Sequence, residues 1–266
     1  MKTVLIEGLE AIEEEGPLGK IIRFKEVGST NDIAVSLAEK GHPNGTIVIA
    51  ESQSKGKGRL GRAWHSPPDA NIYMSIILRP ALPPDDVTIM TFLSAVSCAR
   101  VIRKETGVDV RIKWPNDLMA SGRKMGGILL ESKSERGRII FFVVGIGINV
   151  NMKEEDFPLD LKAIATSVLM ESGKISKKNP IIEGITDEMF FWLDVLKKGD
   201  RASIFKNWKA LSDTLGEDVN VMTPNGLIAG RAVTVDEKGR LILKTKKGEL
   251  KIISAGDVMV LRKEEK

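Results

Sequence analysis

Apolar positions along the chain follow two rhythms. Short apolar or alternating runs over residues 20–25, 46–50, 71–78 and 108–114 predict β-strands, the last ended by Pro115. Residues 124–131 and 138–150 predict a strand pair joined by a polar turn at 132–137. Helical spacing of Ile33, Ala34, Leu37 and Ala38 after Ser29 and Thr30 predicts a helix stopped near Gly41. Pro83, Pro84 and Asp85 open a longer one whose buried side is Val87, Met90, Leu93, Ala95, Val96, Ala99 and Ile102, and Gly107 closes it. Residues 4–15 read as a short acidic helix, and 180–197 and 201–215 as two more helices. From Gly216 the texture changes. Five short strands (219–222, 227–235, 241–245, 249–253 and 258–261) are separated by Pro-Asn-Gly, Lys-Gly and Gly-Asp turn signals. That spacing predicts a small barrel, and a domain boundary that divides the chain into 1–215 and 216–266.

Composition narrows the classes. The chain has 266 residues, 42% hydrophobic and 29% charged, which suits one large or two unequal globular domains and excludes a disordered or collagen-like chain. Forty Lys and Arg against 36 Asp and Glu leave a formal charge of +4, too little to announce a nucleic-acid protein, so the placing of the cations matters more than their number. One cysteine, Cys98, builds neither an intramolecular disulfide nor a cysteine-based zinc site, and it sits in an apolar helix where a quiet core thiol is expected. With two histidines, no His-rich metal centre is expected. Residues 1–15 carry five glutamates and no long apolar run, so no signal peptide is read there, and nothing reaches the ~20 apolar residues of a membrane helix. The expected setting is the cytoplasm, with no membrane partner.

The cations concentrate in one place. Residues 55–62, Lys55-Gly56-Lys57-Gly58-Arg59-Leu60-Gly61-Arg62, hold four cations and three glycines without an acid, and Trp64 follows. Glycines let a backbone approach an anion, successive amides form an anion nest, and Lys and Arg add charge-assisted hydrogen bonds to phosphate. The spacing formally matches G-x-G-x-x-G, but Ser66-Pro67-Pro68 leaves no room for the helix that a dinucleotide-binding turn requires. The bland alternative, a solvated basic turn, is weakened by Trp64, an aromatic suited to a planar base or to capping a pocket. Lys113-Trp114-Pro115-Asn116-Asp117 ends a strand and leaves Asn116 and Asp117 at its C-terminal end, as an Asx turn or as functional side chains. Lys124 opens the next strand, ahead of Gly126 and Gly127. Gly145 and Gly147 interrupt an apolar strand that runs to Asn149, a cost unless a bulge or a ligand uses the space. Ser29, Thr30 and Asn31 either cap the first helix or receive a polar ligand there.

Together, Ser29-Thr30-Asn31, the 56–64 loop, the 113–117 segment, 123–127 and 145–149 resemble the biotin protein ligases in order and approximate spacing, over residues 20–266. The resemblance implies an α+β fold: a mixed sheet flanked by helices, of the class II synthetase-like biotin/lipoate ligase type, followed by an SH3-like barrel. It implies that biotin and MgATP give biotinyl-5′-AMP and pyrophosphate, and that the adenylate then acylates a lysine of a biotin carboxyl carrier domain. The family pattern places biotin against Ser29, Thr30, Asn31, Gln53, Lys57, Gly58, Arg59 and Lys124. It places the nucleotide against Arg59, Arg62, Trp64, Lys113, Asn116 and Asn149, with Lys124 and Arg59 catalytic, no protein-held metal, and Arg262 reaching in from the barrel. Many members have Arg where this chain has Lys57. Some carry an N-terminal DNA-binding domain; with only about 20 residues, of acidic character, ahead of the first strand, the form expected here is the stand-alone ligase, with no nucleic-acid partner and with a homodimer possible. The competing readings are a lipoate- or other acyl-adenylating ligase of related fold, and a non-catalytic RNA-binding protein. The latter lacks stacking platforms in a chain only 5% aromatic.

Overall fold

The computed structural model describes residues 1–16, 19–82 and 87–261. Nine strands form one mixed sheet: β1 (Lys2–Ile6), β2 (Leu9–Glu15), β3 (Lys20–Val27), β4 (Ile47–Gln53), β5 (Ile72–Leu78), β6 (Arg111–Lys113), β7 (Asp117–Ala120), β8 (Arg123–Glu135) and β9 (Arg138–Ile148). Their order is β1-β2-β3-β4-β5-β9-β8-β7-β6, and β3 with β4 is the parallel pair. Helix α1 (Thr30–Glu39) is the crossover between those two strands. It covers one face of the sheet, while α2 (Val87–Thr106), α4 (Lys178–Lys197) and α5 (Arg201–Ala210) belong to the core on the other. A one-and-a-half-turn helix, α3 (Val168–Ser172), lies between.

Burial on both faces explains the unbroken apolar runs. Ile47 and Ile49 of β4 point into the α2 core, and Val48 and Ala50 point into the α1 core. On β9, Phe142, Val144, Ile146 and Ile148 face α2, while Phe141 and Val143 face α1. Each such fully buried side chain stabilises the fold by about 1.5–3 kcal/mol. The second sheet, β10 (Asp218–Thr223), β11 (Gly226–Val235), β12 (Leu241–Lys244), β13 (Leu250–Ile253) and β14 (Asp257–Val260), is antiparallel in the order β13-β12-β11-β10-β14. Its inward residues, Val219, Val221, Leu241 and Leu243 among them, join the α2 core. Phe92 of α2 stacks on Trp208 of α5 at 4.3 Å within that core.

Several expectations are corrected. Residues 4–15 form the β1–β2 hairpin and not a helix. Glu7 and Gly8 turn it with φ of 52° and 77°, the geometry of a tight two-residue connection. Consecutive Glu13 and Glu14, which repel in a helix, here point apart to Lys20 (3.0 Å) and Arg23 (2.8 Å) of β3. Strand β6 is three residues long because Trp114 leaves the ladder: its backbone N–H donates to Thr214 Oγ1 and its indole N–H to Gly239 O, both at 2.9 Å. Helix α5 ends at Ala210, where the chain turns and Ser212 bridges to Ile112. Strand β7 and helix α3 were not anticipated. The expected helix opening at Pro83–Asp85 lies outside the described residues, and α2 is described from Val87.

Candidate active site

The ends of β3, β4, β6 and β9 and the starts of β7 and β8 meet the N-terminus of α1 around one cavity of about 240 Å³. The basic loop forms one wall, and Phe157, Leu161, Ile164 and Ala165 form another. Asp257 of β14 lies at the rim.

One end is neutral and internally bonded. Ser29 occupies the N-cap position of α1 with extended backbone, yet its side chain makes no capping bond. Gln53 Oε1 accepts from Thr30 N (2.9 Å) and Thr30 Oγ1 (3.2 Å), while Gln53 Nε2 donates to Ser66 Oγ (3.0 Å). Ser75, fully buried, places Oγ 2.6 Å from Asn31 Oδ1 and 2.9 Å from Thr30 Oγ1. Asn31 Nδ2 donates to Glu131 Oε2 at 2.7 Å. Every amide in this group is thereby oriented. Gly145 is required here, since a Cβ would run into the Asn31 carboxamide. Gly147 does the same for the Trp64 indole, whose Nε1 would lie 2.6 Å from such a Cβ. The protein's own Asn31 and Trp64 therefore use the space that the interior glycines leave. The buried Trp64 Nε1 has no hydrogen-bond partner among the described residues.

The other end is ionic. The loop folds back on itself through Gly58 N to Arg62 O (2.7 Å) and Trp64 N to Gly56 O (2.9 Å), with Leu60 at φ 57° on its tip. Asp117, largely buried, holds Lys124 Nζ at 2.6 Å and Lys113 Nζ at 3.2 Å. Burial pushes the Asp117 carboxyl up, but the two ammonium groups outweigh it and keep it below its ordinary range. Lys124 Nζ also lies 5.5 Å from the centre of the Trp64 ring. Arg59 donates to Asn116 Oδ1 (2.7 Å), and Asn116 Nδ2 donates to Ile128 O (2.7 Å). Burial lowers the affinity of Arg59 for its proton, and an arginine stays charged regardless. Lys57 is hydrogen-bonded to Asp32, which raises its pKa, and Arg62 Nη2 meets Asp257 Oδ2 at 2.5 Å. Lys57, Lys124 and Arg62 thus each face a carboxylate that an anionic ligand would replace.

Of the residues expected in a site, Ser29, Thr30, Asn31, Gln53, Lys57, Gly58, Arg59, Arg62, Trp64, Asn116, Lys124 and Asn149 line this cavity. Lys113 stands behind Asp117 instead. Asn149 is buried and donates from Nδ2 to Thr166 O (3.0 Å). Arg262 lies outside the described residues. Cys98 is a buried core thiol whose pKa burial pushes up. Sequence reasoning missed Asp32, Ser75, Glu131 and Asp257. Ser75 left a signal, a small polar residue inside the apolar run of β5; Asp257 left none.

The sequence matches the Biotin/lipoate A/B protein ligase family over residues 24–149 and the Biotin protein ligase C terminal domain over residues 214–261. It is 37% identical to the bifunctional ligase/repressor BirA of Bacillus spizizenii, over 90% of this chain and 74% of that protein. It is 30% identical to the biotin--[acetyl-CoA-carboxylase] ligase of Mycobacterium tuberculosis, over 89% and 87%. The fold superposes on the biotin protein ligase of Aquifex aeolicus in complex with biotin and ATP with a TM-score of 0.76 at 28% identity, over 91% and 99%.

Proposed function

The chain belongs to the biotin protein ligase family, and from that premise we propose that it uses ATP to convert biotin to biotinyl-5′-AMP and transfers the biotinyl group to a lysine of a biotin carboxyl carrier domain. The observation that carries this reading is a single cavity with oriented neutral hydrogen-bonding groups at one end and Lys57, Arg59, Arg62 and Lys124 at the other. A neutral, hydrogen-bonding head group joined to a carboxylate fits that sequence of surroundings, and so does a nucleotide triphosphate beside it.

In the first step a biotin carboxylate oxygen attacks the α-phosphorus of ATP, and the bond to the bridging oxygen breaks to release pyrophosphate. The nucleophile is already ionised at neutral pH, so no general base is needed. The barrier is repulsion between anions and charge migrating onto pyrophosphate. Fixed cations lower it by stabilising that charge where it develops. We assign Lys124 and Arg59 to this role, the Ser29–Asn31 and Gln53 group with the 57–59 run to biotin, and Arg62, Trp64, Asn116 and Asn149 to the nucleotide. Lys113 acts through Asp117. Mg²⁺ enters with ATP. The triphosphate supplies the ion's main ligands there. In the second step the acceptor amine attacks the acyl carbon, AMP leaves with the electron pair, and the amine loses a proton.

Incubation with biotin, MgATP and a biotin carboxyl carrier domain, read by intact-protein mass spectrometry, tests the reading. The carrier gains one biotinyl group only when ATP is present. A folded enzyme that leaves the carrier unmodified, or that modifies it with lipoate and not biotin, contradicts it.

A further inference from the structure

Glu171 lies off the cavity wall, on α3, and the reading above does not use it. Its carboxylate accepts three hydrogen bonds: from Thr166 Oγ1 at 2.5 Å, from Ser121 Oγ at 2.6 Å and from Arg123 Nη2 at 2.8 Å. The side chain is only 10% exposed. All three donors come from chain that fixes Lys124. Ser121 and Gly122, at φ 48° and 76°, make the β7–β8 turn, and Arg123 immediately precedes Lys124. Thr166 lies across from it: Lys124 N donates to Ile164 O (2.8 Å) and Thr166 N donates to Lys124 O (2.9 Å). The Thr166 carbonyl also takes the Asn149 amide.

We propose that Glu171 is a positioning residue for adenylation, holding the Lys124 ammonium and the Asn149 carboxamide in register at the phosphate end of the cavity. The proposal rests on the ligase reading and deepens it. One carboxylate ties the strand that carries Lys124 to the 164–166 segment packed beside it, so removing it takes away the side-chain ties and leaves Lys124 held by its backbone pairing alone. Successive residues of β8 point to opposite faces. Glu171 therefore occupies Arg123 on the far side and leaves Lys124 as the cation of this pair that faces the cavity. The neutral end, built on α1, β4, β5, β9 and, through Glu131, the later part of β8, shares none of these bonds.

The test is a split between the two ends. Glu171→Ala slows biotinyl-AMP formation by about ten- to a hundredfold, as a displaced reacting group does, whereas biotin affinity measured by calorimetry without ATP stays within about twofold. Glu171→Gln, whose single amide oxygen accepts from Thr166 and Arg123 while its amide NH₂ donates to Ser121 Oγ, recovers part of the rate. Thr166→Val removes one bond of the three and gives a smaller loss of the same kind. A Glu171→Ala enzyme with the wild-type adenylation rate overturns the proposal, and so does one that loses biotin affinity in the same proportion as rate. If Glu171→Ala does not fold, Thr166→Val decides alone, and a wild-type rate there overturns the proposal. Failure of the positioning role leaves the wild-type enzyme active with biotin. A wild-type enzyme that forms no adenylate overturns this proposal and the ligase reading together.

Discussion

The two ends of the cavity solve opposite problems. At the neutral end, Thr30, Asn31, Gln53, Ser66 and Ser75 satisfy one another before any ligand arrives. Such a network is rigid and selects by the direction of its donors and acceptors. At the ionic end, Lys57, Lys124 and Arg62 are matched to carboxylates on three different elements, α1, β7 and β14. On the proposed reading those pairs trade partners when phosphate enters, so the ionic end keeps its charges compensated and still available. On the proposed reading, the difference lets one chain hold a neutral head group and still manage a large negative charge transiently.

The largest expected effect isolates the ionic end. Lys124→Ala slows single-turnover formation of the adenylate by about two to three orders of magnitude, ~3–4 kcal/mol, the usual loss for one group placed on developing charge. A rate within a few-fold of wild type contradicts its catalytic role. The mirror experiment breaks the neutral end. Gly145→Ala forces a methyl into the Asn31 carboxamide and weakens biotin binding by about 1–3 kcal/mol, the range for overpacking a closed site. Calorimetry with biotin alone measures it, and unchanged affinity contradicts the geometry.

Ionic strength separates the ends without a mutation. Raising it from about 0.05 to about 0.5 M shortens electrostatic reach severalfold. The KM for ATP, which carries several charges, therefore rises more steeply than the Kd for biotin, which carries one carboxylate; equal weakening of both contradicts the division. The smallest effect is a change of slope with pH. Asp117 has its carboxyl held below the ordinary value of 3.8 by Lys124 and Lys113 against the upward push of burial. Its ion pairs thus contribute fully above that value and are lost as pH falls through the depressed one. The melting-temperature gap between wild type and Asp117→Asn stays level from neutral pH to about pH 4 and closes below it. A gap that widens on acidification contradicts the assignment.

Much of this was legible along the chain because it is local. The five short strands after Gly216 and the helix after Ser29 follow from turn residues and spacing, and the structure places them within a few residues of the expectation. The basic loop announced itself by the density of its cations. What was not legible depends on contacts distant in sequence. The acidic stretch 4–15 reads as a helix until Lys20 and Arg23 of β3 are placed beside it. Gly145 and Gly147 read as a bulge or as space for a ligand, and only the fold reveals that Asn31 and Trp64 fill it. Asp257 meets Arg62 across 195 positions, a pairing that no local pattern carries.

Isotope exchange of pyrophosphate into ATP, with biotin, lipoate or octanoate supplied one at a time, tests the central claim most directly. Exchange that depends on biotin and is absent with the other two acids is the predicted result. Exchange supported by lipoate or octanoate but not by biotin, or no exchange with any of them from folded protein, would contradict the account.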